Sequence, residues 1–164
     1  MKIKLTIELV PKTSWCDNVR ARVSKERWDE LRTDCYKKAH NKCEICGSTG
    51  FKQGYEHAVQ CHEIWHYDDE NHIQKLEGLI ALCPLCHKVK HAGLAELEGK
   101  KHLVIEQLMK VNKMDRFQAL HLFDEAMLKW EERSNHDWTV DINYLNEIQD
   151  PLRKLLGDFN KFKK

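Results

Sequence analysis

Two C-x-x-C pairs, Cys43 and Cys46 in "CEIC" and Cys83 and Cys86 in "CPLC", constrain this chain more than any other feature. A two-residue spacer lets both thiolates of a pair reach one ion, and two such knuckles complete the tetrahedral four-sulfur set that zinc favours. Whatever residues 47–82 form, they must fold back so that the two knuckles meet. Gly47, directly after the first knuckle, suits a tight turn there. An ion with four protein ligands has no open position for water, so this zinc would hold shape rather than react. Its loss is expected to unfold the unit spanning 43–92.

The remaining cysteines are consistent with a reducing compartment. The opening "MKIKLTIELV" is too short and too charged for a signal peptide or a membrane span, which predicts a cytoplasmic protein with free or metal-bound thiols. Cys35 fits a helix core, whereas Cys16 and Cys61 receive no role.

The nine positions "CPLCHKVKH" (83–91) hold two cysteines and two histidines and pose a choice. All four could surround one ion, or the cysteines could join Cys43 and Cys46 and leave the imidazoles for a second site. The presence of the first knuckle favours the second arrangement. His87 and His91, four apart on a helix opened by Pro84 and stopped by Gly93, then lie on one helix face.

Around this unit the pattern predicts a single α+β domain over 1–164. Ile3, Leu5, Ile7 and Leu9 alternate as in a strand, and 11–20 reads as a loop. A helix begins with Ser24 as N-cap and buries Trp28, Leu31, Cys35 and Ala39. Two short strands, in "GYEHAVQCHEIW" and "EGLIALC", flank a long loop that contains "YDDE" at 67–70. From Gly99 onward the chain reads as helical, with Phe117, Leu120, Phe123, Met127 and Trp130 as core. "DWTVDINYL" reads as a strand pairing with residues 2–10, and a last helix covers 150–161. The net charge of +1 gives no global signal for nucleic acid, so phosphate contacts would rest on local patches. Residues 20–42 supply Arg20, Arg27, Lys37 and Lys38, and the tail from Arg153 adds lysines.

With "CHEIW" at 61–65 ahead of "LIALCPLCHKVKH", residues 40–95 resemble the HNH endonucleases, whose ββα-metal fold often carries such a pair of zinc knuckles. The resemblance implies a divalent-metal-dependent endonuclease that hydrolyses phosphodiester bonds of DNA. It implies structural Zn²⁺ on the four cysteines and a catalytic Mg²⁺ or Mn²⁺ on His62, His87 and His91. His87 stands at the family's metal-binding histidine, His91 at a frequent extra ligand, and His62 at the first place of its "HH" or "DH" step. Glu63 takes the place of the general-base histidine, and the family's asparagine falls on Gly78. Unperturbed Glu is the poorer base unless burial raises its pKa. Adjacent strand residues also face opposite sides, so His62 and Glu63 share a metal only if a bulge intervenes. Another register makes His62 the base with Cys61 or a later acid as ligand, and His57 and His66 are further candidates. A zinc-stabilised nucleic-acid-binding module without catalysis is the alternative function, and a protein-interaction module built on 114–133 is a third.

Overall fold

A β-hairpin organises the computed structural model, which describes residues 3–149. Strand β1 (Gln60–Asp68) runs antiparallel to β2 (Ile73–Leu82), and helix α3 (Pro84–Lys90) follows one residue later. Cys83 is the N-cap of α3 and Pro84 its first residue, where a missing N–H costs nothing. A third strand, β3 (Thr139–Asp141), joins β2 in parallel, so the sheet order is β1–β2–β3 and β1 is an edge. The architecture is α+β, with seven α-helices among the described residues around this mixed sheet.

The helices pack on both sides of the hairpin. Helices α1 (Val19–Arg22) and α2 (Lys25–Lys38) cover one side, with Leu31 and Cys35 buried as the helical spacing requires. Ser24 accepts a bond from Arg27 N–H at the start of α2. On the other side, α3 and α4 (Ala92–Leu97) meet α5 (Lys101–Asn112) and α6 (Arg116–Arg133) around Leu82, Val89, Ile105, Leu108 and Phe123. Asp115 and Gln118 close a reciprocal capping box at the start of α6. A short helix, α7 (Tyr144–Gln149), ends the described chain. No helix among the described residues is long and apolar enough to cross a membrane.

Several expectations need correction. Residues 3–10 are extended but belong to no strand, and β3 pairs with β2 instead. Alternation reports a buried face, and Leu5 is indeed fully buried, but it does not supply a hydrogen-bonding neighbour. The side chain of Asn112 fills that need. Its Oδ1 accepts from Lys4 N–H and Leu5 N–H at 2.9 Å each, and its Nδ2 donates to Leu5 C=O at 2.8 Å.

The long loop between the strands is absent too. Residues 66–68 pair with 73–75, leaving a connection of 69–72 whose turn is pinned by Asp68 Oδ1 accepting from Glu70 and Asn71 N–H. Helix α3 is not stopped by Gly93. The break falls at His91 (φ −104°, ψ 39°), and Gly93 lies inside α4. Phe117 is 79% exposed rather than core, because the buried stripe of α6 starts at Ala119. The helix expected at 150–161 and the basic tail lie outside the described residues.

Asn112→Ala would strand two amides and one carbonyl in the interior. It is expected to cost about 2–4 kcal/mol, read as a lower urea midpoint at unchanged slope.

Candidate metal centres

The four knuckle cysteines and the histidines separate into two clusters. Cys43, Cys46, Cys83 and Cys86 bring their sulfurs within 4.8 Å of one another, and Cys46 Sγ lies 3.5 Å from Cys83 Sγ. These separations and the all-thiol donor set match what a tetrahedral ion with about 2.3 Å metal–sulfur bonds requires. The cluster could therefore hold a metal ion such as zinc.

Local structure makes the first knuckle. Gly47 N–H donates to Cys43 C=O at 2.8 Å with Gly47 at φ +71°, and Cys43 N–H donates to Ser48 C=O. Glu44 fastens it to β2: its N–H donates to Ala81 C=O, and its carboxylate accepts from Ala81 N–H at 2.7 Å. Gly50 has no room for a side chain, since a Cβ there would lie 2.0 Å from the carbonyl oxygen of His57.

Two glutamine amides complete the sulfur environment. Gln53 Nε2 donates to Cys83 Sγ at 3.2 Å, and the buried Gln107 Nε2 donates to Cys86 Sγ at 3.1 Å. Such donors partly neutralise thiolate charge and orient the ligands. Sequence reasoning missed both, because a lone glutamine carries no spacing signal. Among the thiols themselves, contact with Cys46 above all pulls Cys43 down, while contact with Cys43 pushes Cys86 up. A bare cluster thus favours ionisation of Cys43 and Cys83 at the expense of Cys46 and Cys86, and a cation is what allows all four to ionise.

The second cluster joins β1 to α3. His62, His87 and His91 each offer a ring nitrogen within 4.8 Å of the others, and His87 Nε2 lies 3.1 Å from His91 Nε2. Ring centroids are 5.3 Å apart for His62–His87 and 5.2 Å for His62–His91. Although α3 ends at Lys90, His91 N–H still donates to His87 C=O, which keeps the two imidazoles one turn apart. Burial pushes the pKa of His62 down to about 2 and of His87 to about 3, and lowers that of His91, with further repulsion among the rings. Neutral imidazoles presenting lone pairs are what a metal needs, and this donor set fits a divalent ion. His91, at the helix end, is the most open of the three.

No family model, curated protein or solved structure matches the chain.

Glu63 does not join the imidazoles. It faces the other side of β1, where its Oε1 accepts from Val19 N–H at 2.8 Å and its Oε2 from Trp65 Nε1 at 3.2 Å. Burial raises its pKa against those hydrogen bonds. The strand is irregular nearby, but the register shift falls at Ile64/Trp65, one step too late to turn Glu63 toward His62. Because β1 is an edge strand, a cavity of about 710 Å³ nevertheless borders both faces and is lined by His62, His87, His91 and Glu63 together.

Other candidates are dispersed. Cys61 contacts the Cys35 thiol beneath α2, so the register that used it as a ligand is not assembled. His66 is exposed, with Nδ1 4.0 Å from Glu77. His57 lines a smaller hollow of about 360 Å³ on the far side of His87 and His91. Of the four basic residues, Arg20 lines the large cavity. Arg27 pairs with Glu30 at 2.9 Å, and Lys37 and Lys38 are exposed at the end of α2, away from both hollows.

Cys83→Ser is expected to release the ion and unfold the 43–92 unit, seen as lost near-ultraviolet ellipticity with zinc appearing in a chromophoric chelator. Gln107→Leu should retain the fold and weaken zinc affinity about 10–100-fold in the same competition assay.

Proposed function

We propose that the chain is a divalent-metal-dependent endonuclease of the HNH type that hydrolyses phosphodiester bonds of DNA. The observation that carries this reading is the separation of sulfur from imidazole. The sulfurs can be spent on shape, while three neutral imidazoles, from β1, α3 and the junction of α3 with α4, converge beside an open cavity. The strand–strand–helix order that presents them is the one the resemblance implies.

His62, His87 and His91 would hold the second ion, leaving part of its coordination free. When bound, such an ion supplies Lewis-acid polarisation of a phosphoryl oxygen and stabilises charge on the departing oxygen. Glu63, which borders the same cavity from the opposite face of β1, would take the proton of the attacking water on a carboxylate oxygen through one bridging water. The water oxygen bonds to phosphorus as one phosphorus–oxygen ester bond breaks. The burial that raises the Glu63 pKa moves it toward the range where a carboxylate works as a base near neutral pH. Val19 N–H and Trp65 Nε1 fix its orientation and still leave lone pairs on both oxygens. Arg20, exposed at the cavity and without an ion pair among the described residues, is placed to meet phosphate.

A zinc-stabilised nucleic-acid-binding module without catalysis is the second reading. It is favoured by Gly78, which packs against Ile64 and Tyr144 and offers no polar group where the resemblance expects asparagine. It requires one metal ion per chain rather than two.

Incubation with supercoiled plasmid and Mg²⁺ or Mn²⁺ separates the readings. The native chain is expected to nick, and His62→Ala and His87→Ala to abolish nicking while retaining one zinc by elemental analysis. Glu63→Gln should lower the rate about 10²–10⁴-fold, whereas His57→Ala should stay within about tenfold. Equal nicking by all four variants would show that the reaction belongs to a contaminant.

A further inference from the structure

The walls of the large cavity say more about what reaches the imidazoles. Four of the chain's five tryptophans, Trp15, Trp28, Trp65 and Trp130, line it. Trp65 is a buried part of the wall, held by Glu63, and Trp130 is anchored by Nε1 donating to Val10 C=O at 2.9 Å. Trp15 differs: it is 59% exposed. A large indole kept in water at the border of a cavity is available for stacking. Cationic groups border the same space. Arg20 is exposed there, and Lys12 Nζ sits 4.6 Å over the Trp130 ring. Lys90 is different again, being neutralised by Glu8 at 2.9 Å.

We propose that the site acts on single-stranded or locally unpaired nucleic acid, with the nucleotide next to the scissile phosphate seated in this tryptophan-lined cavity. The inference rests on the nuclease reading and names its substrate class. A hollow of about 710 Å³ is the size of a small-molecule pocket, too small for a double helix and ample for an unstacked nucleotide. A base enters such a pocket only after leaving its stack, which a single strand does at least cost. Aromatic faces are the usual platform for bases released in this way, and nearby cations follow the backbone. The smaller hollow continues the path. It shares His87 and His91 with the large one and adds Tyr55, His57 and Lys88, so a strand can cross the imidazoles from one hollow to the other.

The test uses the full chain with zinc and Mn²⁺, and labelled oligonucleotides of one sequence presented single-stranded or fully paired. The single strand is expected to be cleaved at least about tenfold faster. Trp15→Ala, a surface change checked by its thermal melt, should reduce single-strand cleavage about tenfold. Tryptophan emission should be quenched saturably by the single strand in the His87→Ala chain, where no cleavage interferes. Equal cleavage of both substrates, unaffected by Trp15→Ala, overturns this inference and leaves the nuclease standing. Saturable quenching without cleavage of either substrate by the native chain upholds the nucleotide as the cavity's occupant and removes the nuclease. Neither quenching nor cleavage overturns both.

Discussion

Everything described here depends on four sulfur atoms that cannot all carry charge so close together without a cation among them. The chain from Cys43 to Val59 contains one short 3₁₀ turn and otherwise no helix or strand, so it is held against β2 and α3 by the sulfur cluster, a few backbone bonds, Glu44 accepting from Ala81 N–H and Gln53 accepting from Leu85 N–H. Gln53 and Gln107 reach the same sulfurs from a turn and from α5, which extends the cluster's influence from the hairpin into the helical half. A site of this kind converts binding free energy directly into folding free energy. The imidazole cluster inherits its position from this anchor. Cys86 and His87 are neighbours on α3, and a helix clamped through one is oriented for the other.

Division between the two centres follows from helix geometry. Cys86 points inward at the clamp, and His87, a residue later, turns toward β1, with His91 one turn further on the same face. His62 meets them because β1 is long and its even-numbered residue at this level faces α3. Glu63 is carried to the opposite face by the same pleat. Only the edge position of β1 lets one cavity border both.

What could be read from the sequence was what short-range spacing encodes. The knuckles, the turn at Gly47, the Pro84 start of α3, the Ser24 cap and the facing of His87 and His91 each depend on residues a few positions apart. Long-range pairing was not legible. Alternation at Ile3, Leu5, Ile7 and Leu9 signalled an apolar face, but the partner of that segment is the side chain of Asn112, which no periodic pattern marks. The hairpin looked like two short strands because His66, Tyr67 and Asp68 are polar or amphipathic, although they pair fully with 73–75. The grouping of the tryptophans was invisible for the same reason. They come from four separate stretches of chain and share a cavity only after folding.

The extended segment at the start of the chain is held by residues synthesised much later. Leu5 is held by Asn112, Glu8 by Lys90, and the Val10 carbonyl by Trp130, and Glu8, Leu9 and Val10 form one wall of the cavity. Residues 5–10 are therefore docked by partners that lie 82 to 120 positions further along the chain. The sulfurs and imidazoles all come from residues 43–91, whereas the hollow beside them also needs Glu8, Leu9 and Val10 and, from α6, Met127 and Trp130. A chain cut before α6 would keep every one of these metal-ligand residues and lose Met127 and Trp130 from the cavity wall.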